Sequence, residues 1–414
     1  MCRITCLAVA TSFICFGFTA SGQTYRYAVV DLGILDDTMV SEAEGMSALG
    51  HVAGTSWQGG NYRAFRYTDG VGMEDLGTLA SPFDWGSLGQ AINGSGQVTG
   101  YSYRVEGSTL YPHAFRYTDG VGMEDLGTLG GDSSRGLAIN DAGQVVGNSR
   151  ITPGDSATHA FRYTDGVGME DLGVLWEGSF TSAEDINNLG QVVGRSGQGA
   201  FRYTDGVGIE YLGDLGGGGS SARAINDAGQ VVGESHTDLE DEFGQPLVHA
   251  FLYSDDAGIQ DLGVLPGHLH SFATAISSCG HVLGTCLDEM YANTEFIWTP
   301  QGGMMELVEM VDPAGEWGGF QFTDINGRGQ IVGRATRSGY GLRAFRLEPI
   351  LSSDVDFDSD VDLRDFAMFS CCFAGSDNAP SSACPDGVVT DFDLDGDVDL
   401  ADYAELESAF AGPS

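Results

Sequence analysis

Carboxylates spaced to hold a cation are the feature of this chain that most plainly carries chemistry. Near the C-terminus, Asp391-Phe392-Asp393-Leu394-Asp395-Gly396-Asp397-Val398-Asp399-Leu400-Ala401-Asp402 puts acids at loop positions 1, 3, 5 and 12, with glycine at 6. Ca²⁺ takes six to eight oxygens from a sharply turned loop, and glycine at that position permits the turn. Asp397 offers its backbone carbonyl, and Asp399 a ligand through water. The pattern also begins at Asp354, continuing through Asp356, Asp358, Asp360 and Asp365, with Ser359 in place of the glycine. A bare acidic run would not repeat this spacing, so two calcium ions are expected.

Helices must follow each loop to position these ligands. Leu363, Phe366, Phe369 and Phe373 recur as Leu400, Tyr403, Leu406 and Phe410, and steps of three and four put each set on one helical face. Two loop–helix halves sharing an apolar core, without the leading helix of an EF-hand, resemble a type I dockerin over residues 350–414. The resemblance implies a cohesin-like partner contacted through loop positions 10 and 11, here Leu363, Arg364, Leu400 and Ala401. These are not the hydroxyl pair common in cellulosomal dockerins. The stretch between the halves carries Cys371, Cys372 and Cys384. Cys384 with Cys371 or Cys372 is one expected disulfide, and Cys279 with Cys286 another, since export would permit them.

Upstream, the chain is organised by repetition. Ala64-Phe65-Arg66-Tyr67-Thr68-Asp69-Gly70-Val71-Gly72-Met73-Glu74-Asp75-Leu76-Gly77 recurs letter for letter at 114–127 and 160–173, and in degraded form from Ala200, Ala250, Glu295 and Arg343. Alternating β-formers around Asp-Gly predict a hairpin. A second motif, Ala91-Ile92-Asn93-Gly94-Ser95-Gly96-Gln97-Val98-Thr99-Gly100, precedes each and reads as another short hairpin. Four short strands per unit suit the blades of a propeller. The phase is more telling. Asp31-Leu32-Gly33 appears before any copy of the other motifs, and the last unit ends at Leu347 without one. A closed ring of seven blades, its N-terminal strand completing the last, explains both ends; an open stack of hairpins is the competing arrangement. The expected fold class is therefore mainly β, a seven-bladed propeller over residues 23–349 followed by a small α-helical calcium-binding domain.

The repeat resembles the extracellular HAF repeats, through His113-Ala114-Phe115, His159-Ala160-Phe161 and His249-Ala250-Phe251. The resemblance implies an exported β-propeller-like protein and transfers no activity. Four of the seven units lack the histidine, so a packed, hydrogen-bonded ring is expected rather than a ligand. Asn93, Asn140, Asn187, Asn226 and Asn326 precede turn residues that a side-chain amide caps. His268 and His270 make too small a set for a metal site. The acidic connector Ser235–Val248 is read as a solvated loop or a partner surface.

A formal net charge of −41 across 414 residues, with all 18 basic residues arginine, argues strongly against nucleic-acid binding and against anionic membrane surfaces. Residues 1–22 read as a signal peptide: Arg3, an apolar run from Ile4 to Phe18, then Ala20-Ser21-Gly22. The run is too short to span a bilayer comfortably, and no other stretch is apolar enough. No Gly-x-Ser-x-Gly elbow, His-Glu-x-x-His or P-loop occurs. Two functions fit: an extracellular or cell-surface binding scaffold that presents its propeller to a glycan or protein, and a glycoside hydrolase-like protein of polysaccharide catabolism delivered by its tail. No catalytic residue stands out.

Overall fold

The computed structural model describes residues 26–35, 40–79, 85–106, 109–154, 156–241, 243–300, 302–311 and 316–350. Residues 1–22, read as a signal peptide, and every aspartate expected above to hold calcium lie outside them, as do Leu363, Arg364, Leu400, Ala401, Cys371, Cys372 and Cys384.

Seven four-stranded antiparallel sheets follow one another, which makes the described chain a seven-bladed β-propeller. Blade 1 is Ser41–Met46, Val52–Gln58, Asn61–Thr68 and Gly72–Asp75, and blades 2 to 6 repeat this meander. Blade 7 takes its outermost strand from the other end of the chain. Arg26–Gly33 pairs antiparallel with Gly341–Ile350, Val29 opposite Leu347. This closure is the one the repeat phase implied, and it leaves the ring without an unpartnered end.

The third strand of each blade supplies the core. Phe65, Phe115, Phe161, Phe201, Phe251, Phe296 and Phe345 are fully buried. Phe65 sits with Ala43, Met46 and Val52 of its own blade and with Val332 and Ala344 of blade 7, so each ring cements two blades. The glycine ending each Gln-Val-Val-Gly motif is required by that packing. A Cβ on Gly54 would meet Glu42 O at 2.1 Å and the Phe65 ring at 2.7 Å.

The Phe-Arg-Tyr-Thr-Asp motif proves to be a fastener between blades. Arg66 bonds Gly96 O (3.0 Å) and Asp119 (3.0 and 3.2 Å) of the next blade, with its guanidinium 5.8 Å from the Tyr117 ring. Arg116 does the same to Gly143 O and Asp165, Arg162 to Asp205, and Arg346 to Gly50 O and Asp69, while Arg202 forms an ion pair with Asp255 at 2.9 Å. Leu252 and Ile297 occupy the arginine position in blades 5 and 6. The aspartate position in the blade each one faces is Pro300 and Pro349, so both partners are lost together.

A second ring runs closer to the axis. Asn93 Nδ2 donates to Asn140 O (3.0 Å), Asn140 to Asn187 O, Asn187 to Asn226 O, Asn226 to Ser277 O and Asn326 to Ser47 O. Each asparagine Oδ1 also accepts backbone N–H groups of its own turn, as from Gln97 to Asn93. The capping role expected of these residues is present, with a role between blades added to it.

The expected Cys279–Cys286 pairing is not formed: no disulfide joins the two. Cys279 lies in the turn before Val282, whereas Cys286 is four residues up the strand, opposite Ser271. At ~3.3 Å per strand residue this exceeds the ~7 Å a disulfide can span. Cys286 faces the core beside Met304 at 3.5 Å, and burial pushes its thiol up to about 11.

Candidate functional site: the axial cavity

The innermost strands are Ser41–Met46, Ser87–Ile92, Ser134–Ile139, Thr181–Ile186, Gly216–Ile225, His270–Ile276 and Trp317–Ile325. Each breaks register with its neighbour at the same point. The pairing skips one residue between Ala43 and Gly45, and likewise in all six other blades. The skipped residues are Glu44, Gln90, Leu137, Glu184, Arg223, Thr274 and Thr323. A bulge releases one residue from the ladder and re-aims its side chain. Here it aims six of them at the axis, where Glu44, Gln90, Leu137, Glu184, Arg223 and Thr274 line a cavity of about 370 Å³. Around this cavity the near-identical blades present unlike chemistry.

A second hollow, of about 520 Å³, adjoins it on the face carrying the turns between second and third strands. Glu234 and Phe272 belong to both hollows. Phe180, Arg195, His236 and Val248 complete a largely apolar wall, with Arg195 4.8 Å over the Phe180 ring.

The charges in the axial cavity are unevenly matched. Arg223 is committed to Glu234 through hydrogen bonds of 2.8 and 3.0 Å, with Glu184 at 4.0 Å on its other side. Burial disfavours its cation, but Glu234 and then Glu184 outweigh that and raise its pKa. Arg334 is likewise held by Glu42 at 2.7 Å. Glu44 has no such partner among the described residues. Its carboxyl keeps some contact with the cavity yet is hemmed in by protein, and this desolvation pushes it up to about 7, against the pull of Arg334 and with the push of Glu42.

The sequence-selected histidines lie elsewhere. His113, His159 and His249 each meet the aspartate of their own blade's fourth strand, Asp125, Asp171 and Asp261, at 2.8–3.1 Å. They are structural, as expected. His268 meets Thr294, while His270 accepts the Val248 N–H and stacks on Tyr291, so the two rings serve different neighbours. No group of three or more metal-ligating side chains occurs among the described residues. In the acidic connector, Asp241 caps its own turn through the Phe243 and Gln245 N–H groups.

The sequence matches no protein-family model and no curated protein. Among solved structures, the chain is similar to virginiamycin B lyase from Staphylococcus aureus at 13% identity and a TM-score of 0.46, over 79% of this chain and 100% of that one. It is also similar to the BP39L lectin from Burkholderia pseudomallei at 10% identity and a TM-score of 0.41, over 79% and 99% of the two chains.

Proposed function

We propose that this is an exported binding protein of the extracellular space or cell surface, whose propeller holds a ligand in the axial cavity and its adjoining hollow. The observation behind this reading is the convergence of unlike side chains on one point of an otherwise repetitive ring. Repetition serves fastening, and a selective site needs asymmetry. In this reading the HAF-type repeats, residues 23–349, build the recognition platform, and residues 1–22 direct export. The dockerin-like segment 350–414 then docks the platform to a cohesin-like or cell-surface partner once its two loops hold Ca²⁺. Carboxylates packed that densely repel one another until metal neutralises them, so docking is calcium-dependent.

Two measurements test this. The full chain on glycan and peptide arrays is expected to bind a restricted ligand class, with binding lowered by substitution at Glu184 or Arg223; absence of any ligand rejects the platform role. Calorimetric Ca²⁺ titration is expected to give two sites, one of them removed by Asp391→Ala. A titration without saturable binding rejects the docking role.

One observation favours a second reading. Glu44 and Glu184 face the same cavity, burial pushes the Glu44 carboxyl up to about 7, and two carboxyls on one cavity, one of them raised, are the parts glycosidases use. Turnover on a glycan panel, lost in Glu44→Gln, would establish that reading. A panel without turnover leaves the binding role.

A further inference from the structure

The balance of charge in the axial cavity narrows the ligand. This step rests on the binding reading above and goes beyond it by naming a chemical class. Three carboxylates, Glu44, Glu184 and Glu234, reach the cavity against one guanidinium, Arg223, which Glu234 already holds through two hydrogen bonds. Glu44 is left over, turned toward open volume with no hydrogen bond or ion pair among the described residues. Leu137, Ala273 and Phe272 form an apolar wall to the same space. Phe272 leads on into the neighbouring hollow, where Val248 and Phe180 continue the apolar surface.

We infer that the axial cavity binds an organic cation, a guanidinium or ammonium group seated against Glu44 and Glu184, with its apolar stem running along Phe272 toward Phe180. An anion would meet three carboxylates. A neutral ligand would leave Glu44 either unpaired as a carboxylate where solvation is poor or held protonated, and only a cation is drawn to its ionised form. The volumes suit one side-chain head in the axial cavity and one aromatic or aliphatic group beyond it. A peptide carrying an arginine beside a large apolar residue has both parts.

The charged and titratable groups around Glu44 are Glu42 on its own strand, Arg334 and Asp324 of blade 7, Tyr101 of blade 2, and Glu184, Arg223 and Glu234 on the other walls of the cavity. Arg334 is spent on Glu42, and Asp324 on the N–H groups of Met46 and Ile325. Asp185, beside Glu184, and Asp324 are also raised by burial, to about 7 and about 6, but both are held by backbone N–H groups, Asp185 by those of Ile186 and Ile225. Glu44 is the one of the three that lines the cavity and has no hydrogen-bond partner among the described residues.

The probe is N-acetyl-arginyl-phenylalanine amide, titrated calorimetrically into the full chain at pH 8 and at pH 6, with the citrulline analogue as a neutral isostere. The expected result is saturable binding at pH 8 that weakens about tenfold at pH 6, following the ionised fraction of a carboxyl near pH 7. The citrulline peptide should bind at least about tenfold more weakly at pH 8, and Glu44→Gln should lose affinity and flatten the pH dependence. Equal binding of the two peptides, or full affinity in Glu44→Gln, overturns the inference. If neither peptide binds up to millimolar concentration while an array glycan does, the cation assignment fails and the binding reading survives. If no array ligand binds either, both fail.

Discussion

Arg66 and Asp119 belong to different blades and to copies of one motif, and the arginine of the first grips the turn of the second through two hydrogen bonds of 3.0 and 3.2 Å. An ion pair between the same two residue types joins Arg116 to Asp165, Arg162 to Asp205, Arg202 to Asp255 and, across the closure of the ring, Arg346 to Asp69. Identity among the repeats thus has a mechanical cause: a motif that must both give and receive the same contact cannot drift on one side alone. Arg116 is 7% exposed and also serves the Gly143 carbonyl, whereas Asp165 is 67% exposed. Arg116→Leu, copying Leu252, is expected to cost about 1–3 kcal/mol in urea unfolding, because a buried carbonyl loses its donor. Asp165→Ala is expected to cost less than about 1 kcal/mol, and less still in high salt.

Ring closure by Arg26–Gly33 predicts a second outcome. Deleting this strand uncovers the edge of Gly341–Ile350 and removes the buried side chains Tyr27 and Leu32. Each is worth ~1.5–3 kcal/mol, so the truncated chain should lose at least about 3 kcal/mol and self-associate through the bare edge. A synthetic peptide of residues 26–33 added in trans should restore much of the loss. A truncated chain that melts like its parent would show that the strand does not close the ring.

Glu295 stands where every other blade has a buried alanine: Ala64, Ala114, Ala160, Ala200, Ala250 and Ala344. Burial raises its carboxyl from 4.5 to about 7, although Thr285 and the Phe322 N–H donate to it. The folded state therefore holds the proton more tightly than the unfolded chain. This contribution to stability is present below about pH 4.5, declines as pH rises toward 7, and is constant above. Glu295→Gln should be more stable than the parent by about 1–3 kcal/mol at pH 8, with the gain shrinking through pH 7 to 5 and gone by about pH 4. Melting curves across that range decide it, and a gain independent of pH would contradict the assignment.

The sequence made the propeller legible because its local signals agree with one another. Asp69-Gly70 marks the outer hairpin, where Gly70 takes φ +76°, and Phe65 with its six equivalents marks the core. The early Asp31-Leu32-Gly33 betrays the closing strand. The arginine–aspartate fastening went unread because its partners lie about a blade apart in the chain. Its signal was nonetheless there, in the joint loss of Leu252 with Pro300 and of Ile297 with Pro349. The axial site was hidden for another reason. Which face a strand residue takes follows from alternation, and a bulge breaks alternation at one residue. The clue was the position two before each Ile-Asn or its equivalent, where otherwise matching repeats read Glu44, Gln90, Leu137, Glu184, Arg223, Thr274 and Thr323. Cys279 and Cys286 misled because proximity in sequence is separation along a strand.

The account divides the blade residues into those that fasten the ring and those that make the site, and one variant tests that division. Glu44→Thr, Gln90→Thr, Leu137→Thr, Glu184→Thr and Arg223→Thr together would give every bulge the residue already found at Thr274 and Thr323. The measurement is the binding isotherm of the arginyl-phenylalanine amide on this variant, with its melting temperature taken alongside. The account predicts a melting temperature within a few degrees of the parent and affinity lowered at least about tenfold. Undiminished binding, or a chain that no longer folds, would contradict it.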